Sequence, residues 1–297
     1  MANFSTSTLQ LIRKDWAKAD TIAGEVDLNV WNWLRNLDPS QRDVYIKGNT
    51  GLGMATKVTE GSPTPVHTPA GLPQLTLSQS QRSAKIIFTL EAQEFDLYGK
   101  IPELGAEAKT SLDRRKAQDV ANLLLNNGFS SSYPTATGDE LYSDSHTING
   151  LNFDNLATAS ALSEAGLETM ITMALNQKDA KNQPMSFKGP WYLYLGPTLA
   201  LTAEKILGTS NVVGSADNDI NVARRYIELM VDPFITSTTA HALLPKMASK
   251  AEAYKIVKVD NKNIVDEDSE GNLSMKKYSI YEMGVWMPYN FVGNAGA

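Results

Sequence analysis

The residues best equipped for chemistry in this 297-residue chain are three histidines, His67, His146 and His241, and the run Asp144-Ser145-His146. Serine, histidine and aspartate are the members of a hydrolytic triad. Three consecutive residues cannot stack into that relay, however, and no GxSxG turn presents a nucleophile. A soluble hydrolase using Ser145 and His146 is therefore the most distant of the functions considered. The histidines form neither HExxH nor a His-x-His pair, so the spacing predicts no metal site. Cysteine is absent, which removes thiolate zinc sites, iron–sulfur clusters, disulfides and cysteine nucleophiles together. Gly51-Leu52-Gly53-Met54-Ala55-Thr56 lacks the third glycine of a dinucleotide fingerprint and opens an extended run, not a helix. Asp266-Glu267-Asp268-Ser269-Glu270-Gly271 imitates half of a calcium loop, but Lys277 stands at the twelfth position, where a bidentate glutamate is needed. The expectation is a chain with no catalytic residue, no cofactor and no metal: not an enzyme.

Charge and composition narrow the remaining classes. The net charge is −6, spread evenly: residues 1–150 hold 14 basic and 17 acidic groups, and residues 151–297 hold 13 and 16. Nucleic-acid binders concentrate Lys and Arg because counterion release supplies most of their affinity, so dedicated DNA or RNA binding is disfavoured. With 42% apolar and 20% charged residues, a disordered or fibrous chain is excluded. No apolar run approaches the ~18 residues that span a bilayer, and the start has no basic-then-apolar secretion pattern, so a soluble chain without a membrane partner is expected.

The elements that would position any site are unusual. Leu9, Ile12 and Trp16 give residues 5–20 weak helical spacing, within a stretch that reads as an N-terminal arm over residues 1–41. Residues 42–95 alternate around Val44 and Ile46, break at Gly48, Gly51 and Gly53, turn through a Pro/Gly tip near 61–73, and resume at Leu75, Leu77 and 84–90. That pattern predicts a long antiparallel hairpin, polar on both faces along its middle. A lone two-stranded ribbon is marginal in water, so this one needs a surface to lie on. Residues 103–127 read as one long helix with Leu104, Ala108, Leu112, Val120, Ala121 and Leu124 inward and Asp113-Arg114-Arg115-Lys116 outward, stopped by Gly128 in a left-handed conformation. Ser163 starts a second helix with Leu167, Met170, Ile171 and Ala174 buried. Residues 191–195 form a buried strand, Pro197 opens a third helix ended by Gly208, and residues 225–231 form another strand. Residues 253–260 and 274–289 read as strands joined by an acidic turn, and 290–297 as a short Gly/Ala tag. The fold class is α+β.

In order, these residues resemble the major capsid (major head) protein of tailed bacteriophages, with the Hong Kong 97-type fold. Lys57-Val58-Thr59-Glu60-Gly61 before a proline, Leu75–Leu77 and Ala84-Lys85-Ile86-Ile87-Phe88 are similar to that family's extended hairpin loop, and residues 103–128 to its spine helix. Asn127-Gly128-Phe129, Tyr133, Leu141-Tyr142-Ser143-Asp144-Ser145-His146, Asn152 and Asn155-Leu156 resemble the Mu-like branch. There Phe is usual where Tyr142 stands, and Pro is common at the position of Thr147. The resemblance implies an N-terminal arm (1–41), an extended hairpin loop (42–95), a peripheral domain (96–150 and 245–297, with spine helix 103–127) and an axial domain (151–244). It implies a virion shell subunit, made in the host cytoplasm, that pairs with itself as hexamers and pentamers on an icosahedral lattice and encloses double-stranded DNA without sequence-specific binding. Scaffolding, portal and decoration proteins are the further partners it suggests. Lys57, Glu60, Leu75, Leu77, Arg82 and Lys85 are the candidate inter-subunit contacts, with Leu75 and Leu77 as an apolar stripe laid on a neighbour. An encapsulin-like bacterial compartment of the same fold is the alternative.

Overall fold

The computed structural model describes residues 26–89, 91, 95, 100–209 and 220–297. The helix expected over residues 5–20 lies outside that set. In chain order the elements are α1 (Asn29–Trp33), β1 (Arg35–Leu37), β2 (Asp43–Ile46), β3 (Leu75–Ser78), β4 (Ser80–Phe88), α2 (Lys100–Ala121), β5 (His146–Ile148), β6 (Leu151–Phe153) and β7 (Leu156–Ala157). There follow α3 (Glu164–Leu175), β8 (Trp191–Leu195), α4 (Pro197–Gly208), β9 (Ile227–Val231), β10 (His241–Pro245), β11 (Ala253–Glu267), β12 (Leu273–Val285) and β13 (Val292–Asn294). Two compact units result. Of the described residues, the first joins 26–42 with those of Ser78–Asp119 and Lys255–Glu282; the second joins those of Asp43–Leu77, Val120–Tyr254 and Met283–Ala297.

The first unit is a four-stranded sheet, ordered β1-β11-β12-β4, with the long helix α2 against it. β4 runs antiparallel to β12 from Leu273↔Phe88 to Tyr281↔Ser80. Alternation along β12 sends Leu273, Met275, Lys277, Ser279 and Tyr281 inward. Ala106 and Ala108 of α2 let the helix approach Phe88, Val265, Leu273 and Met275 closely. Farther along, the interface turns polar. Lys116, almost fully buried, places Nζ 2.9 Å from Asp113 Oδ1 and 2.5 Å from Asp260 Oδ1. Ser279 Oγ donates to Asp260 at 3.2 Å, and Asn261 Nδ2 donates to Asp113 at 3.2 Å. One turn on, Tyr281 donates to Asp119 Oδ2 at 2.9 Å, while Arg115 pairs with Asp119 Oδ1 at 2.8 Å. Burial, then Asp119, push the Tyr281 phenol well above its ordinary range. Residues 113–116 are thus not the outward face that charge alone suggested. Asp113, Lys116 and Asp119 recur every three residues and share one helix face, and that face meets the sheet. Arg114 and Arg115 keep to the outside.

α2 continues through a wide turn, Asn122–Asn126, whose Leu123, Leu124 and Leu125 are all buried. In the second unit the sheet is mixed and five-stranded, ordered β7-β13-β10-β8-β9. β8 and β9 are parallel, joined by a connection that contains α4, and β10 is antiparallel to both β8 and β13. β8 reads WYLYL because a central strand covered on both sides needs apolar residues at nearly every position. Ser163 caps α3 by accepting from Gly166 N at 3.2 Å, and Leu167, Met170, Ile171 and Ala174 face the core as their spacing predicts. Pro197 occupies the first turn of α4, where its missing N–H costs nothing.

Three expectations need correction here. The long hairpin is short: β2 pairs only with β3, and one bridge, Asn49↔Gly71, follows. Residues 80–88 leave the ribbon to pair with β12 instead. The final residues are no loose tag, since Val292, Gly293 and Asn294 are buried as an interior strand of the five-stranded sheet. Gly128 is not left-handed; its role is steric. A Cβ on Gly128 would lie 2.8 Å from the Tyr142 ring, and one on Gly293 only 2.3 Å from it. Two distant glycines therefore make the slot that holds this fully buried ring.

The Tyr142 hydroxyl is buried in that slot with no hydrogen-bond partner among the described residues. Burial alone pushes this phenol far above its ordinary range. A buried unsatisfied hydroxyl costs about 1–3 kcal/mol. Tyr142→Phe is expected to stabilise the chain by about 1 kcal/mol, read as a higher urea midpoint at unchanged slope. A lower midpoint would show that the hydroxyl has a partner.

Candidate assembly interface

The ribbon between β2 and β3 is held at its base and bare beyond it. Thr50 N donates to Ala70 O at 2.9 Å and Leu72 N to Gly48 O at 3.0 Å. Leu72 packs beside Ile148, Phe153, Met287 and Trp286. Trp286 Nε1 donates to Pro73 O at 2.8 Å, and Lys181 Nζ to Thr68 O at 3.2 Å. Gly48 seats the ribbon on the Trp286 ring, for a Cβ there would fall 2.1 Å from the indole. Gly48→Ala is expected to lift the base and cost about 1–3 kcal/mol, the range for overpacking. Faster proteolysis between residues 47 and 73 would report it; an unchanged cleavage pattern would contradict the seating.

Every residue from 51 to 69 is exposed. Among them Val66 is 92% and Met54 71% exposed, with Leu52 and Val58 also outward. Apolar side chains collected on one extended segment, away from the core, mark a surface that meets another molecule. Lys57 and Glu60 stand on the same segment, exposed, as does His67.

The other sequence-derived contacts fall elsewhere. Leu75 and Leu77 are buried within their own chain, against Gly284, where a Cβ would lie 2.7 Å from Leu77 and 3.3 Å from Leu75. The stripe expected on a neighbour is spent at home, because β3 pairs with β2 over the end of β12. Arg82 is engaged in the first unit. Its guanidinium donates to Tyr281 O at 2.6 Å, sits 4.3 Å from the Tyr281 ring centroid, and pairs with Asp119 and Glu282 at 3.5 and 3.4 Å. Lys85 is exposed on β4, the outer strand of its sheet, opposite Lys276. Lys57 and Glu60 therefore lie together on the exposed segment, while Arg82 and Lys85 belong to a different unit. Missed in the sequence were the exposed apolar residues Leu52, Met54, Val58 and Val66. Their signal was apolar residues flanked by Gly and Pro, with no periodicity to bury them.

The residues that resembled a hydrolase do not form one. His146 is fully buried; its Nε2 meets Leu141 O at 3.3 Å and its Nδ1 meets Thr137 Oγ1 at 3.2 Å, so neither nitrogen serves Ser145. In the acidic turn, Asp268 accepts from Glu270 N and Asn272 N, both at 2.9 Å, as a β-turn rather than a calcium loop. Among the described residues no group of three ligating side chains gathers, and no helix is long and apolar enough to cross a membrane.

Comparison with known proteins agrees with this geometry. Residues 74–292 match the family described as phage capsid protein. No curated protein sequence matches. Among solved structures, the capsid of a native GTA particle aligns with TM-score 0.61 at 8% identity, covering 91% of each chain. The capsid of the cyanophage P-SCSP1u aligns with TM-score 0.58 at 12% identity, over 89% of this chain and 85% of that one. A virus-like particle from Pyrococcus furiosus aligns with TM-score 0.55 at 11% identity, over 96% and 98%. The match over residues 74–292 takes in most of the chain, so the chain belongs to the phage capsid protein family, with the Hong Kong 97-type fold.

Proposed function

We propose that this chain is the major capsid protein of a tailed double-stranded DNA bacteriophage and closes into an icosahedral head as hexamers and pentamers of itself. The observation that carries the reading is the segment 51–69, anchored at its base and exposed along its whole length, in a member of a capsid family. Such a segment has no interior of its own and is stabilised by lying across a neighbouring subunit, with Leu52, Met54, Val58 and Val66 covered there and Lys57 and Glu60 meeting partner charges. The unit built on β11, β12, β4 and α2 corresponds in this reading to the peripheral domain, and the five-stranded unit to the axial domain around the capsomer axis. Of the stretch expected as an arm, residues 29–37 belong to their own first unit, as α1 and as the strand β1 of its sheet. Assembly takes place in the host cytoplasm, with scaffolding, portal and decoration proteins as further partners. A chain of net charge −6 suits a wall that must not adhere to the DNA it encloses.

Negative-stain microscopy of the purified protein is the test: closed shells are expected, and a compact monomer at high concentration would overturn the reading. An encapsulin-like compartment is the second reading, supported by the likeness to the Pyrococcus furiosus particle over nearly the whole of both chains. Nuclease-protected DNA inside particles from infected cells favours the phage head, and a captured protein cargo favours the compartment.

A further inference from the structure

We propose that β4 pairs edge to edge with the β4 of a second copy of this chain, antiparallel and in a register centred on Ala84. The first-unit sheets of two subunits then join about a two-fold axis. This contact involves the first unit alone and needs only two copies, whether or not closed shells form.

An open sheet edge presents a row of backbone donors and acceptors to any strand that arrives. Proteins therefore keep such edges short, charged, bulged or covered. The other edges of the two larger sheets obey this rule. β1 has three residues, β7 has two, and β9 has five, with Glu228 on β9 held by Lys246. β4 is the exception. It has nine residues, contains no proline, and follows β12 through nine consecutive pairs without a bulge. Its other side has no partner strand among the described residues. Beside it a groove of about 550 Å³ opens between the strand and α2, walled by Ser83, Ala84, Ser111 and Leu112. The groove leaves room for an incoming strand along that side.

The order of side chains selects a second β4 as the partner. Arg82, Ala84 and Ile86 turn inward, while Gln81, Ser83, Lys85 and Ile87 turn to solvent. Two antiparallel copies centred on Ala84 overlap along the whole strand and set inward residues beside inward residues. Lys85 then lies opposite the second copy's Ser83, and Ile87 opposite its Gln81. Like charges directly opposite destabilise a ladder. Lys85 already faces Lys276 across β12, so another lysine on its free side would add to that repulsion. A register centred on Lys85 would put one there, whereas the Ala84 register supplies a hydroxyl. The other cation of the strand, Arg82, is folded back on Tyr281 O and Asp119 of its own subunit. A two-fold contact of this kind also occupies both long edges at once, so the pair is closed.

The chain has no cysteine, so single introduced cysteines report this register directly. Opposite residues of an antiparallel pair have Cα atoms about 4.5–5.5 Å apart, inside the span of about 4.4–6.8 Å that a disulfide bridges. Full-length Ala84→Cys, oxidised under mild conditions, is expected to run as a covalent dimer on a non-reducing gel. Ser83→Cys alone and Lys85→Cys alone should stay monomeric, because each meets its own counterpart beyond the limit of about 7 Å. Mixed together, those two variants should cross-link. Ala84→Cys that folds but stays monomeric would overturn the pairing, and so would Ser83→Cys that cross-links as well alone as in the mixture. Ser83 and Lys85 are exposed, so the mixture decides the matter even if Ala84→Cys does not fold. A covalent dimer without shells would count against the shell and uphold this contact; shells without the dimer would do the reverse.

Discussion

Lys116→Met is expected to destabilise the chain by about 3–5 kcal/mol at neutral pH, the cost of leaving a buried charge without its partner. Lys116 is the cation between Asp113 and Asp260, on the face of α2 that meets β11 and β12. Methionine fills the space, so the loss is electrostatic and not a cavity. Buried Asp113 then keeps only the Asn261 amide, while Asp260, half exposed, keeps the Ser279 hydroxyl and water. The double variant Asp113→Leu with Lys116→Met should recover most of the loss, since replacing a whole buried pair by apolar groups is often neutral. Urea unfolding at pH 7 measures both variants. A single variant within about 1 kcal/mol of wild type would mean that water, not Lys116, compensates these carboxylates.

Deleting residues 52–68 and closing the gap with a short glycine turn should leave the subunit as stable as before and stop shell formation. No residue in that range is buried, so folding loses only the exposed Lys181–Thr68 O contact. Assembly loses the burial of Leu52, Met54, Val58 and Val66, worth about 1.5–3 kcal/mol for each fully covered side chain. The limits matter. A deletion over 59–73 would also remove Leu72 and the Pro73 carbonyl that Trp286 holds, and would confuse unfolding with failed assembly. Thermal unfolding together with negative-stain microscopy separates the two. Shells formed by the folded deletion variant would remove the ribbon from the assembly mechanism.

Local pattern was a good guide where one element's own periodicity decides its burial. α3 with its Ser163 cap, β8 between Pro190 and Gly196, and the long helix ending near Gly128 all follow from spacing and from turn residues. Pattern failed where a partner distant in sequence decides. The strand Val292–Asn294 has three residues, one a glycine, and no alternation to betray it; only the Tyr142 ring explains why Gly293 is required. The polar residues 80–83 look like the middle of a ribbon until β12 supplies their partner.

By itself the amino-acid sequence determined the α+β class, the absence of thiol chemistry, and the presence of a segment too polar and too interrupted by Gly and Pro to bury itself. Those properties belong to composition and to neighbours a few residues apart. Tertiary structure alone decided that Leu75 and Leu77 serve their own subunit, that Asp113, Lys116 and Asp119 face a sheet instead of water, and that the C-terminal residues complete a core. Each of these turns on which strand lies beside which, and strand pairing is set by contacts between residues far apart in the chain, such as Leu243 with Val292 and Phe88 with Leu273, which no local periodicity encodes.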